Sequence, residues 1–178
     1  NTQGLLDNRA GLIQADNLLA LTAGSLNNRD TLANGIAGAG AATTAQAGAT
    51  PTSISALGVM GKQVALNATA IDNQSGRIGA GQDLGVATGT LDNTSGNVSS
   101  DANAKLAVNS LTNSSGAVTA GNSLELTTDT LDNEGKLHAG QDLTITANTL
   151  TNRATGELIG LRNNTLVIGG LLANAGLI

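Results

Sequence analysis

The stretch from Ile71 to Thr90, IDNQSGRIGAGQDLGVATGT, decides the fold, because the chain rewrites it at a fixed interval. Leu91-Asp92-Asn93, Leu111-Thr112-Asn113 and Leu131-Asp132-Asn133 restart the same phrase, each 20 residues after the last. Working outward, the same start recurs at Leu6, Leu26, Leu150 and Leu172, so units begin at 6, 26, 71, 91, 111, 131, 150 and 172. The intervals are 20, 45, 20, 20, 20, 19 and 22 residues. One unit therefore carries an excursion, and the others drift by a residue or two, as turns tolerate and strands do not. A fixed period of this length marks a stacked-repeat architecture.

Inside a unit the apolar positions alternate. Ile78 and Ala80, Leu84 and Val86, then Leu91 form one copy; Val118 and Ala120, Leu124 and Leu126, then Leu131 form another; Leu137 and Ala139, Leu143 and Ile145, then Leu150 a third. Period two is the strand signal, and each unit has room for three short strands of roughly two to five residues separated by turns. Helix fits poorly, since each of the many glycines would cost it about 1 kcal/mol. Turns are marked by Asn73 and Gly76, Asn93 and Gly96, Asn113 and Gly116, Asn133 and Gly135, Asn152 and Gly156, residue types that tolerate positive φ.

Three short strands cannot bury their own apolar face, but copies stacked in parallel bury a continuous column. The expected fold is all-β: a parallel β-helix with rungs of about 20 residues, stacked about 4.8 Å apart into a rod of roughly 35 to 40 Å. Asn8, Asn28, Asn73, Asn93, Asn113, Asn133, Asn152 and Asn174 all hold the third position of the unit. Stacking places them one above another, where each amide can donate to one neighbour and accept from the other. A buried structural ladder is the expectation, in preference to an amide row that binds a ligand.

The insertion runs from Ala33 to Met60 and breaks the unit begun at Leu26, in which Thr31 stands where glycine is usual. Its Ala, Gly and Thr content and lone Pro51 read as an excursion from the rod, with room for a short helix after a Thr52 or Ser53 cap. Insertions in solenoids often carry binding, so any partner-binding residues are expected within 33–60, without being identified individually.

Composition narrows the function. Phe, Tyr, Trp and Cys are absent, so the core must be built from small aliphatics. A net charge of -5 with only eight scattered Lys and Arg argues against nucleic acid, as does the lack of aromatic platforms for bases. No apolar run is long enough to span a membrane, and no targeting segment opens the chain. Asn1 and Ile178 both fall inside partial repeats, so residues 1–178 read as a single segment of a longer chain. No catalytic constellation assembles. His138 follows an inward position and is expected in solvent. The carboxylates Asp7, Asp72, Asp92 and Asp132 share a column without an Arg, Lys or aromatic subsite, and Asp before a turn Asn usually caps backbone amides. An enzyme, a metal site and a cofactor are therefore not expected. The outward positions Ala65, Gly85, Ala87 and Ala107 form a flat uncharged strip, read as bland surface.

The motif Leu-Asp-Asn-x-x-Gly-x-Ile-x-Ala-Gly-x-x-Leu-x-Leu, approximated at 71–86, 111–126 and 131–145, closely resembles the repeats of the filamentous haemagglutinin family. These are exoproteins of two-partner secretion, among them adhesins, haemolysins and contact-dependent growth-inhibition effectors. The resemblance implies a right-handed β-helix in a long secreted filament, exported through an outer-membrane barrel partner and displayed on a Gram-negative cell. The expected function is a structural shaft that projects a distal binding or toxin region. The alternatives are an adhesive module that engages a cell-surface receptor through 33–60, and a polysaccharide-cleaving enzyme on the same scaffold.

Overall fold

The computed structural model describes residues 1–32 and 57–178, and among these every regular element is a strand. In chain order they are β1 (Leu5–Asp7), β2 (Leu12–Asn27), β3 (Gly58–Asp72), β4 (Arg77–Ala80), β5 (Leu84–Asp92), β6 (Asn97–Ser100), β7 (Ala104–Asn113), β8 (Ala117–Ala120), β9 (Leu124–Asn133), β10 (Lys136–Ala139), β11 (Asp142–Asn152), β12 (Glu157–Gly160) and β13 (Asn163–Asn174). Every pairing between them is parallel. The short strands β4, β6, β8, β10 and β12 stack as one face, and the long strands β5, β7, β9, β11 and β13 stack as the rest of each rung. The two ladders join on β3, whose Val59–Gly61 pairs with β4 and whose Val64–Asp72 pairs with β5, and continue below it on β2. This is the β-solenoid that the period and the alternation predict.

Each rung from β4 onward contains two strands where the alternation suggests three, and β2 and β3 run through a whole rung as one strand each. The second and third expected strands run together, because backbone pairing resumes at once on both sides of the bend: Thr88 pairs with Val108 and Thr90 with Ser110. Only Gly89 and Asn109 are passed over, so no turn is needed. The bend resets the alternation, since the inward set runs Leu84, Val86, Thr88 and then Leu91. It also adds a sixth inward column, Ala68, Thr88, Val108, Thr128 and Ala147, all buried. The two threonines are accommodated there because their hydroxyls donate to the carbonyls of Thr90 and Thr130.

The core is a set of aligned columns. Val59, Ile78, Val98, Val118, Leu137 and Leu158 line one, all with no measurable exposure. Leu26, Ile71, Leu91, Leu111, Leu131 and Leu150 line another. Each large side chain contributes roughly 1.5 to 3 kcal/mol by burial, against an ordering cost of similar size per residue. The stack is therefore stable by accumulation. Length drift is absorbed at two kinds of place. The corner after Asn133 is one residue shorter than that after Asn113, and the corner after Asn152 is one longer. The other extra residue sits inside a strand, at the Gly169–Gly170 bulge of β13 opposite Asn148.

The stack crosses the insertion without a gap. Leu26 pairs with Ile71, so the rungs on either side of the excursion are direct neighbours. The range read as 33–60 ends later than the excursion does: Gly58, Val59 and Met60 belong to β3 and pair with Leu12, Ile13 and Gln14. Residues 33–56, with the expected cap at Thr52 or Ser53, lie outside the described residues. Gly58 has φ +123°, and a side chain there would fall within 3 Å of the Arg77 backbone, so glycine is required where the chain rejoins the rod.

Candidate functional site

The feature that recurs in every rung is the corner between the long strand and the next short one, where the Asn and Gly positions meet. Asn28, Asn73, Asn93, Asn113, Asn133 and Asn152 are buried to within 1% exposure; Asn8 is nearly so, at 7%. Each Nδ2 donates to the Oδ1 of the next Asn: Asn8 to Asn28 at 2.8 Å, Asn28 to Asn73 at 2.7 Å, Asn73 to Asn93 at 2.7 Å and Asn93 to Asn113 at 2.8 Å. Asn113 to Asn133, Asn133 to Asn152 and Asn152 to Asn174 follow, all at 2.8 Å. The second N–H of most amides finds a backbone carbonyl one rung on, such as Arg77 from Asn28 and Ala117 from Asn93. That second bond fixes which end of the amide is nitrogen, because only an N–H can serve a carbonyl.

The turn itself distributes its demands differently from the sequence expectation. Positive φ falls on the residue before the glycine, at Ala10, Ser75, Ser95 and Ser115, and on Asp30 before Thr31, at 48° to 59°. Gly76, Gly96 and Gly116 are instead sites of close approach. A side chain at Gly96 would come within 3 Å of the Asn73 carbonyl and of the Asn93 amide, and Gly135 and Gly156 are crowded in the same way. Gly96 N–H donates to the Asn93 carbonyl at 3.0 Å, and its own carbonyl accepts from Ala117 at 2.9 Å. The glycine is a joint within a rung and between rungs.

Around the corner the carboxylates serve locally. Asp72 Oδ1 accepts from Gln74 N–H and Asp92 Oδ1 from Thr94 N–H, at 3.1 and 3.0 Å. Their second oxygens accept from Arg29 at 3.3 Å and Gln74 at 2.8 Å. Asp7 is held below the usual carboxylate value by the side-chain hydrogen bond from Arg9. Asp132 has no such cap, because the corner beside it is short; instead it accepts from Nε and Nη2 of Arg153, each at 2.7 Å, which raises the Arg153 pKa. The carboxylate column is thus committed to capping and cross-rung pairing. His138, expected in solvent, points outward but is only 32% exposed, because Glu157 in the next rung lies 2.8 Å from its Nε2. Among the described residues no three His, Asp or Glu side chains converge as a metal site requires, and no helix is long and apolar enough to cross a membrane.

These corners can therefore hold rungs in register. The family model described as the haemagglutinin repeat matches residues 61–128 and again residues 119–176. No curated protein and no solved structure matches the chain.

Proposed function

We propose that this chain, which belongs to the haemagglutinin-repeat family, is part of the shaft of a filamentous exoprotein carried on or released from a Gram-negative cell, and holds a distal adhesive or toxic region away from it. The observation that carries this reading is the continuity of the stack: the aliphatic columns and the amide ladder pass every rung, including the one interrupted by the insertion. Export through an outer-membrane barrel partner fits the composition. A chain without Cys and with one Pro folds outside the pore without slow disulfide or prolyl steps, and repeats propagate from any formed rung.

A shaft should tolerate a change of length. Deleting residues 91–130, two whole rungs, should leave a folded rod shorter by about 10 Å at the strand spacing, measured as the maximum dimension in solution scattering. A chain that fails to fold, or a dimension that does not change, would overturn the reading. The adhesive alternative rests on the single interruption of the repeat. Labelled chain bound to bacterial and epithelial cells, with and without residues 33–56, decides it: binding that vanishes with the deletion moves the function to the insertion.

A further inference from the structure

Six of the eight Lys and Arg side chains lie within 4 Å of a carboxylate. The two without such a partner, Lys62 and Arg77, line the same open groove of about 500 Å³ on the face formed by the short strands. This holds for the whole chain, since residues 33–56 contain no acidic residue. The groove has a local cause. Val59 and Val64 are five residues apart, where the corresponding Ile13 and Leu19 below, and Ile78 and Leu84 above, are six apart. The corner at Lys62 is drawn in by one residue. Its floor is bare because Gly79 and Gly81 lack side chains, although packing does not require glycine at either. A side chain at Gly79 would meet nothing nearer than Ser99 Oγ at 3.7 Å, and one at Gly81 nothing nearer than Lys62 Cα at 3.8 Å. Ser99, Thr119 and His138 fill the Gly79 column in the rungs above.

The structure assigns this groove as a binding site for an acidic saccharide, a sugar chain bearing uronate carboxylates. Arg77 opens β4, and Lys62, on β3 in the rung below, lies against Gly81 just past the other end of β4, about 13 Å along the strand direction at strand rise, so they meet charges on separate sugar units. Arg77 supplies the fork that pairs with a carboxylate. Between and beside them Gln14, Ser99, Asp16 and Asp101 offer an amide, a hydroxyl and two carboxylates to sugar hydroxyls. A peptide strand is disfavoured because β4 is already hydrogen-bonded on both edges, to β3 and β6. The lining also lacks an aromatic or deep apolar anchor. The inference goes beyond the shaft reading and does not depend on it.

The test is calorimetric titration of the whole chain with oligogalacturonate at low ionic strength, where exposed charges are least screened. Binding is expected, with its fully methyl-esterified form at least about tenfold weaker. The Lys62→Gln/Arg77→Gln double variant should lose about tenfold or more, the loss of a charge-assisted pair. Lys105→Gln, which removes a charge elsewhere on the rod, should not. Gly79→Leu should block the floor while leaving the unfolding temperature unchanged, because the space there is open. Absence of binding by the parent chain, equal loss in Lys105→Gln, or full binding by Gly79→Leu would overturn the assignment. A sulfated galactan that binds as tightly as oligogalacturonate would overturn the choice of uronate.

Discussion

At the corner after Asn73 the chain continues up the rod; at the corner after Asn28 it leaves for the insertion. Both corners close with the same hydrogen bonds, made by different atoms. In the first, Gly76 N–H donates to the Asn73 carbonyl at 2.9 Å and the Gly76 carbonyl accepts from Asn97 N–H at 2.8 Å. In the second, the Thr31 hydroxyl donates to the Asn28 carbonyl at 3.1 Å and accepts from Arg77 N–H at 2.8 Å. Thr31 is 4% exposed, so the hydroxyl fills the place of a peptide group, and the Leu32 amide still donates to the Ser75 carbonyl at 2.8 Å. What the rod requires at each corner is one donor and one acceptor, and the backbone path is secondary.

That equivalence fails first where the backbone itself makes the joint. Gly96→Ala should cost about 3 kcal/mol, at the upper end for overpacking, because the new methyl meets backbone that cannot yield; denaturant unfolding would read it. A loss under about 1 kcal/mol would mean the corner is softer than its spacing indicates. The ladder comes next. Asn113→Ala removes a group bonded on both sides and should cost roughly 1 to 3 kcal/mol for the partners left unpaired, and Asn174→Ala, exposed at the end of the column, much less. Equal values would remove the case for a buried ladder. The smallest effect is at the exit. Thr31→Val keeps the shape but orphans the Asn28 carbonyl and Arg77 amide, for about 1 to 2 kcal/mol. Thr31→Ser, which keeps the hydroxyl, should unfold within about 0.5 kcal/mol of the parent. If valine were as good as serine, the hydroxyl would not be the joint.

The period and the strand pattern were legible because the inward positions recur as aliphatics in each rung from Ile71 to Leu150, with Ser100 the one substitution in the Ala80 column. The alternation misled at the bend. Leu84, Val86 and Leu91 read as two strands with a turn between them, yet Thr88 continues the inward set, its hydroxyl finds the Thr90 carbonyl, and the strand runs on to Leu91. Positive φ at Ser75, Ser95 and Ser115 left no mark either, since serine announces no left-handed residue and the neighbouring glycine draws the eye. Thr31 was visible only as a departure from glycine; that a hydroxyl can stand for a peptide group is a matter of geometry. The groove was hidden because the missing residue at Lys62 lies within the longest interval between repeats, where the insertion masks a change of one.

All the ladder amides face one way, each giving its N–H to the rung that follows it in the chain. Reversing a single amide in the interior would oppose nitrogen to nitrogen on one side and oxygen to oxygen on the other. It would also strand the carbonyl served by the second N–H. The orientation is therefore shared by the whole column and fixed in each rung by the carbonyl that its second N–H serves. A chain that emerges amino end first always leaves a waiting donor at its growing tip. The next turn meets that donor with an asparagine oxygen when its asparagine falls in the column, so a slip of one residue forfeits that bond.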